Sequence, residues 1–190
     1  MQQPLLSILI PTLDSRASIY GRLLFNLHYA IQTYALPGEV EVIPYVDAGE
    51  QSTGYKRNWL INNCNGKYIA FVDDDDMVTD AYIPAQLAVC NSNADCGSLT
   101  GLYFLNGIYD RPFIHSIAYK SWYQDNQFYY RCPNHLNAIK KELIADIPFQ
   151  DKVVGEDGNW SMDILNAGRL KTEHKVLQTL YLYYCTSKNI

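Results

Sequence analysis

A short apolar run followed directly by four aspartates constrains the fold of this chain more than any other feature. The run spans residues 68–72, and the carboxylates are Asp73, Asp74, Asp75 and Asp76. A continuous apolar segment of this length is typical of a strand that is buried on both faces of a parallel sheet. Adjacent carboxylates repel one another, so they need a cation or solvent at the end of that strand. The pattern therefore predicts an α/β fold with an acidic site at the carboxyl edge of its sheet.

Strand and helix patterns alternate along the first half of the chain. Residues 5–10 form an apolar run that stops at Pro11 and Thr12, and residues 40–46 run into Asp47. Apolar residues recur at helical spacing between residues 19 and 34. Further helices are predicted for residues 53–64 and 81–90. This alternation predicts strands in parallel, with helices packed on both faces of the sheet.

The pattern changes after about residue 97. Further strands are predicted at residues 99–105, 113–119, 127–131 and 179–184, and helices at 140–145 and 158–167. No repeat, linker or low-complexity stretch divides the chain. We therefore expect a single α/β domain over residues 1–190, with a mixed, mostly parallel sheet flanked by helices.

Composition narrows the possible functions. A chain of 190 residues that is 48% hydrophobic and 18% charged fits one globular domain. The net charge is -5 and the basic residues are scattered, which offers no stripe for a nucleic-acid backbone. Five cysteines without CxxC spacing indicate reduced thiols instead of a disulfide framework or a zinc site. The sequence shows no leader and no apolar stretch of membrane-spanning length, so we expect a cytoplasmic protein without a membrane span.

The acidic run has the chemistry of a metal site. Asp73 and Asp75 are two residues apart, so an extended segment places them on the same side. Magnesium-type sites commonly use one or two carboxylates together with substrate phosphates. We interpret Asp73 and Asp75 as ligands of Mn²⁺ or Mg²⁺. The alternative is a solvated acidic turn in which Asp76 or Asp80 only caps the helix that follows.

Five segments follow one another in a recognisable order. They are residues 7–12, Asp47, residues 56–58, residues 66–76 and, much later, the triplet 155–157 followed by a helix and a glycine. In this order they resemble family-2 glycosyltransferases with the GT-A fold, a Rossmann-like α/β architecture. The resemblance covers nearly the whole chain, and four of the segments match the family's nucleotide-binding half.

The resemblance implies a donor site for a nucleotide-diphosphate sugar, most commonly a UDP-sugar, in residues 1–97. Asp47 would bond to the base, and Asp75 with Asp73 would hold the metal against the diphosphate. The segment after Asp47 lacks the second acid that is frequent in the family. The nucleotide-sugar-binding residues that the resemblance implies are Pro11, Thr12, Asp47, Arg57, Asn58, Asp73 and Asp74.

The resemblance also implies that residues 98–190 bind the acceptor. Asp157 would be the general base of an inverting transfer, and Glu156 would orient or contact the acceptor. Sugar transfer needs such a carboxylate to deprotonate the attacking hydroxyl, and a metal to neutralise the departing diphosphate. The alternative is that both acids merely face the free amides at the start of a helix.

Four further side chains are candidates for the site. His135 lies in a polar loop with two asparagines, which suits a contact with the acceptor or the sugar. Trp160 follows the acidic pair and could stack on a sugar ring, with core packing as the alternative. His115 and His174 are weaker candidates for extra metal ligands.

Two rival functions use a similar sheet. A catalytically inert GT-A-like module would bind a nucleotide or glycan but lack an essential acid, whereas Asp75 and Asp157 are both present. A nucleotidyltransferase would carry a glycine-rich loop after the first strand, and residues 11–16 contain no glycine. The acceptor is expected to be a glycan or another hydroxyl-bearing molecule, with a modified nucleic-acid base also open.

Overall fold

A computed structural model describes residues 3–186 of the chain. Residues 1–2 and 187–190 of the predicted domain therefore lie outside the described part. In chain order, the strands are β1 Leu6–Leu13, β2 Val40–Asp47, β3 Tyr68–Phe71, β4 Met77–Val78, β5 Cys96–Gly97, β6 Leu99–Leu105, β7 Ile108–His115, β8 Tyr123–Gln124, β9 Tyr129–Arg131, β10 Ile139–Lys140, β11 Glu173–His174 and β12 Thr179–Cys185. The α-helices are α1 Ala17–Tyr34, α2 Thr53–Asn63, α3 Tyr82–Ser92 and α4 Glu156–Ala167. No helix within residues 3–186 is both long and apolar enough to cross a membrane.

The first sheet has the strand order β11-β5-β10-β3-β1-β2. Strand β1 lies between β2 and β3 and pairs in parallel with both. Its side chains alternate between two cores: Leu6, Ile8 and Ile10 pack with α1 and α3, whereas Leu9 packs with α2 and α4. Because both faces are covered, every position in the middle of this strand favours an apolar residue. The continuous apolar run in the sequence follows from this burial.

The second sheet has the order β4-β12-β6-β7-β9-β8 and is also mixed. Phe113 of β7 and Tyr181 of β12 belong to the same core as α1 and α3, so the second sheet packs onto that side of the first. The predicted α/β fold with mixed sheets and flanking helices is confirmed. The strands after residue 97 contribute to both sheets, because β10 and β11 belong to the first.

Two predicted segments differ from the structure. The predicted helix at 140–145 is instead strand β10 followed by the short 3-10 turn Lys141–Leu143, because Ile139 pairs with both β3 and β5. The predicted strand at 113–119 begins earlier, at Ile108. Asn106 and Gly107 both have positive φ, at 52° and 80°, as a tight hairpin turn between β6 and β7 requires.

All five cysteines are free, and four of them are buried. The prediction of unpaired thiols is therefore confirmed.

Candidate functional site

A cleft of about 410 Å³ lies where the chain leaves β1 and β3 and enters α4. Carboxyl ends of parallel strands are the usual ligand position in such sheets. The first half of the chain contributes Pro11, Thr12, Leu13, Arg16, Gly49, Gln51, Thr53, Lys56, Arg57, Asp73, Asp74 and Asp75. The second half contributes Val153, Val154, Gly155, Glu156, Asp157 and Tyr183. One cleft therefore brings together the two acidic segments that the sequence separates by about eighty positions.

Asp73 is a half-buried carboxylate that is already paired. Its Oδ1 accepts a hydrogen bond from Arg57 Nη2 at 2.8 Å, and its Oδ2 lies 3.3 Å from His135 Nε2. Its backbone N–H donates to the Tyr181 hydroxyl. Burial alone would raise the pKa of Asp73, but the positive charge of Arg57, aided by His135, holds it well below its usual range. Asp73 is therefore an ionised carboxylate that lines the cleft.

Asp74 stabilises the chain at the end of β1 through hydrogen bonds. Its two oxygens accept hydrogen bonds from Thr12 Oγ1 at 2.7 Å and from Arg16 Nη1 at 2.6 Å. The residue is almost completely buried, although it borders the cleft. These bonds tie the turn Asp14–Arg16 to the acidic segment. The expected contact of Asp74 with the nucleotide stays a prediction.

Asp75 has the least engaged carboxylate of the four. Its side chain is 39% exposed, and one oxygen lies 3.2 Å from Arg16 Nη1. Burial and then the nearby charge of Asp73 raise the pKa of Asp75. Burial and the charge of Asp73 both disfavour the ionised form of Asp75, and a bound cation would favour that form.

Asp76 does not cap the helix that follows, which corrects that prediction. Its oxygens accept hydrogen bonds from the Tyr181 hydroxyl at 2.9 Å and the Tyr184 backbone N–H at 2.7 Å, both on β12. Helix α3 begins after Ala81 without a side-chain cap. Burial, followed by the charge of Asp73, raises the pKa of Asp76 well above its ordinary value. Asp76 therefore links the acidic segment to the second sheet.

Arg57 joins the two acidic segments at the wall of the cleft. It is 3% exposed and donates from Nη2 to Asp73 and from Nε to Glu156 Oε1 at 3.1 Å. Its guanidinium lies 5.0 Å from the centroid of the Phe71 ring. Burial alone would lower the pKa of Arg57, but the carboxylates of Asp73 and Glu156 raise it. Glu156 is thereby held by Arg57 and does not face the amides of its own helix.

The first turn of α4 forms part of the cleft. Gly155 precedes it with φ of 78°, a conformation that glycine adopts without strain, and no side chain caps the helix. Asp157, in the first turn, is 29% exposed and lines the cleft. Its Oδ2 lies 3.9 Å from His135 Nδ1. A carboxylate at this helix terminus is favoured by the helix dipole and remains accessible to a substrate.

Asp47 lies beside the cleft and not on its wall. Its carboxylate accepts hydrogen bonds from the backbone N–H groups of Gly49 and Gln51 and pairs with Lys56. Lys56 also donates to the Thr12 carbonyl at 2.9 Å, which fixes β1 against β2. The loop after β2 is thereby ordered by Asp47. Its expected bond to a nucleotide base stays a prediction.

Asn58 does not line the cleft, and its expected contact with the nucleotide stays a prediction. Its side-chain amide donates to the Phe149 carbonyl at 2.9 Å and accepts from the Phe149 N–H at 2.8 Å. The Asn58 side chain therefore connects helix α2 to the segment before α4.

Trp160 and the histidines also differ from their predicted roles. The Trp160 ring is buried, stacks on Phe149 at 4.2 Å and donates to the Ile147 carbonyl, so it cannot stack on a sugar. His135 is buried between carboxylates and does not line the cleft. His115 is buried against Asn137, and His174 lies on the edge strand β11, so neither joins the acidic cluster.

The sequence analysis missed Arg16 and Tyr183. Arg16 contacts Asp74 and Asp75, and Tyr183 of β12 lines the cleft. Ligands usually lie at the carboxyl ends of parallel strands, and this principle was applied only to acidic residues. Applied to basic residues after β1, it would have identified Arg16. Tyr183 carries no local signal, because its position depends on the pairing of β12 with β6.

Gly54 allows the segment that precedes α4 to approach helix α2. A Cβ at this position would lie 1.9 Å from the Gln150 carbonyl oxygen, and the Gly54 N–H donates to the Lys152 carbonyl. We expect Gly54→Ala to displace this segment and to destabilise the protein by about 1–3 kcal/mol, the range for overpacked sites. Urea denaturation measures the loss.

The matched control is Gly21→Ala in α1, where a Cβ meets nothing within 4 Å. It should stabilise the protein by about 0.5–1 kcal/mol, because alanine favours the helix interior. Equal effects of the two substitutions would contradict the close approach at Gly54.

The fold is that of a GT-A-type α/β domain, with a cleft at the carboxyl ends of its parallel strands. The solved structures of S. aureus TarS share this fold. TarS 1-349 in complex with UDP has a TM-score of 0.63 at 14% identity and covers 97% of this chain and 61% of that chain. TarS 1-349 in complex with UDP-GlcNAc has a TM-score of 0.60 at 14% identity, and the match covers 96% of this chain and 58% of that chain.

TarS without the 1-349 limit has a TM-score of 0.57 at 13% identity. The match covers 95% of this chain and 36% of that chain. The chain therefore spans about three fifths of TarS 1-349 and about a third of the longer protein. No protein-family model matches the chain, and a search of curated proteins finds no relative. The expected GT-A-type fold is confirmed by the structural likeness.

Proposed function

We propose that this protein is a metal-dependent glycosyltransferase that moves a sugar from a nucleotide-diphosphate donor, a UDP-sugar, to an acceptor hydroxyl with inversion. The observation that carries the proposal is the arrangement of carboxylates in one cleft. Asp73 and Asp75 follow β3, and Asp157 lies in the first turn of α4, so the carboxylates proposed for the donor and for the acceptor line the same cleft. The TarS structures, which contain UDP and UDP-GlcNAc, support a nucleotide-sugar donor for this fold.

The donor half of the cleft suits a diphosphate. Arg16 and Arg57 supply positive charge, and Pro11 and Thr12 supply the end of β1 where a nucleoside would lie. Arginine is well suited to phosphate oxygens because its guanidinium donates several hydrogen bonds in one plane. The Arg16 side chain is 39% exposed, so it can turn from Asp75 towards a phosphate.

The residues present fit a divalent cation of the Mn²⁺ or Mg²⁺ type. Within residues 3–186, no group of three or more histidine, cysteine and acidic side chains is placed to hold a metal on its own. A site completed by substrate phosphates needs only one or two carboxylates. Asp75 would be the principal ligand, with Asp73 contributing through lone pairs that Arg57 and His135 do not use. When bound, the metal would neutralise charge on the departing diphosphate.

The acceptor half of the cleft supplies a base. Asp157 is accessible and ionisable, and no bond within the described chain engages its carboxylate at hydrogen-bond distance. It can accept the proton of an acceptor hydroxyl as that oxygen attacks the sugar. Glu156 serves instead to hold Arg57 and Asp73 in place, which revises its expected contact with the acceptor.

The acceptor that we propose is a glycan or another hydroxyl-bearing molecule. The scattered basic residues provide no extended surface for a nucleic acid. Five free cysteines favour a reducing compartment, and we therefore propose a cytoplasmic location.

Substitution of Asp75 tests the proposed metal site. In Asp75→Asn, we expect the Mn²⁺-dependent part of UDP binding to fall by at least about tenfold, because a neutral amide is a poor ligand for a hard cation. Calorimetric titration of UDP with and without Mn²⁺ measures this change. Asp80→Asn is the matched control, since Asp80 is exposed on the same segment. If UDP binding depends on Mn²⁺ to the same extent in both variants, Asp75 is not a metal ligand.

A further inference from the structure

The four aspartates after β3 form a closed turn. The Asp76 N–H donates to the Asp73 carbonyl at 3.1 Å, so Asp74 and Asp75 are the two central residues of a four-residue turn. We call residues 73–76 the acidic turn. Asp75, its third residue, lines the cleft and is the principal metal ligand that we propose. The direction of the Asp75 side chain therefore depends on the contacts that fix the two ends of the acidic turn.

One side chain of the second sheet contacts both ends of the acidic turn. Tyr181 of β12 is completely buried, and its hydroxyl accepts a hydrogen bond from the Asp73 N–H at 3.1 Å. The same hydroxyl donates to Asp76 Oδ2 at 2.9 Å. A hydroxyl suits this position because it can donate and accept at the same time. A single O–H group therefore connects the first residue of the turn to the last.

Other contacts with β12 hold the chain where it leaves the acidic turn. The Tyr184 N–H donates to Asp76 Oδ1 at 2.7 Å. Strand β4 follows the turn directly and pairs with β12 in antiparallel fashion, with Val78 opposite Tyr181. Beyond it, the Thr79 N–H donates to the Leu180 carbonyl at 3.0 Å. These contacts fix the exit of the turn, whereas the Tyr181 hydroxyl reaches across to its entry.

We propose that Tyr181 is a positioning residue for the metal, because its hydroxyl fixes the acidic turn in the form that directs the Asp75 carboxylate into the cleft. Tyr181 does not line the cleft, so it acts through the turn and not by contact with a substrate. Repulsion between adjacent carboxylates favours an extended segment over a closed turn, and the hydrogen bonds of Tyr181 oppose that change. A turn that is ordered before the metal arrives loses less entropy on binding. This inference rests on the proposed function.

Tyr181→Phe tests the role of the hydroxyl. The ring is kept, and with it the edge contact to Phe113 at 6.4 Å between centroids. In the presence of UDP, we expect the Kd for Mn²⁺ to rise about 10–100-fold, the range for residues that orient metal ligands without touching the metal. The affinity for UDP without metal should stay close to that of the wild-type protein. Raising the Mn²⁺ concentration should restore UDP binding, because the carboxylates remain present. Calorimetric titration measures all three quantities.

Tyr82→Phe is the matched control. Tyr82 is a fully buried tyrosine of the same core, and its hydroxyl makes no hydrogen bond to the acidic turn. Urea denaturation of both variants measures any general loss of stability. An unchanged Kd for Mn²⁺ in Tyr181→Phe would overturn the proposal. A loss of UDP affinity that is equal with and without Mn²⁺ would also overturn it, because that is the result of a merely structural role.

Amide hydrogen exchange tests the contact at Asp73 without any ligand. In Tyr181→Phe, we expect the Asp73 N–H to exchange about tenfold or more faster relative to the Phe71 N–H of β3, because its acceptor is gone. The ratio should stay at the wild-type value in Tyr82→Phe. A wild-type chain that binds no UDP with Mn²⁺ would contradict the proposed function. Unchanged exchange at Asp73 would by itself show that Tyr181 does not hold the turn.

Discussion

Replacing Asp157 with asparagine should lower kcat by about 10²–10⁴-fold while UDP binding stays close to that of the wild-type protein. This is the range that a positioned general base contributes. The carboxylate lines the cleft at the first turn of α4, whereas Arg57, Asp73 and Glu156 line the same cleft and are bonded to one another. The substitution therefore removes proton acceptance and leaves the donor-binding groups in place.

The measurement for Asp157→Asn combines steady-state sugar transfer with calorimetric binding of UDP and Mn²⁺. Asp163→Asn is the matched control, because Asp163 is an exposed residue of the same helix. Transfer at the wild-type rate in Asp157→Asn would refute the assignment of the base. Loss of UDP binding together with transfer would show that Asp157 belongs to the donor site instead.

Replacing Arg57 with methionine should destabilise the protein by about 3–5 kcal/mol. Removal of one partner from a buried ion pair leaves an uncompensated charge, and the cost lies in this range. Here two carboxylates, Asp73 and Glu156, would lose their hydrogen bonds to Arg57 at once. Methionine keeps much of the apolar contact with Phe71, so the loss reports mainly on charge.

Urea denaturation at neutral pH measures the effect of Arg57→Met. Arg169→Met is the control, because Arg169 pairs with Asp146 where both side chains are well exposed and such pairs contribute little. An Arg57 variant as stable as the control would mean that the buried charges find other partners. The same variant should also weaken UDP binding, since Arg57 lines the cleft.

The sequence predicted the parts of the fold that local patterns determine. The apolar run of β1 and its stop at Pro11 identified a central strand, because that strand is buried on both faces. The acidic run after β3 and the acidic pair in the first turn of α4 lie in one cleft, as the convergence of strand ends in a parallel sheet predicts. Asp75 and Asp157 both line it.

Long-range contacts determine what the sequence did not reveal. Asp76 looks like a helix cap in the sequence, but its partners are Tyr181 and Tyr184, more than a hundred residues away. Trp160 follows the acidic pair in sequence, yet helical geometry turns its ring into the core against Phe149. No local pattern distinguishes these partners, because they depend on how β12 and the segment before α4 pack in three dimensions.

The most direct measurement is a thermal-shift panel of nucleoside diphosphates on the wild-type chain, each with and without Mn²⁺. A ligand that binds only the folded state raises the unfolding midpoint, by about 5–10 °C at a hundredfold excess over Kd for a domain of this size. We predict such a shift for UDP, dependent on Mn²⁺ and absent for nucleosides without phosphate. If no nucleoside diphosphate shifts the midpoint with or without metal, the cleft is not a nucleotide-sugar site and the proposed function is wrong.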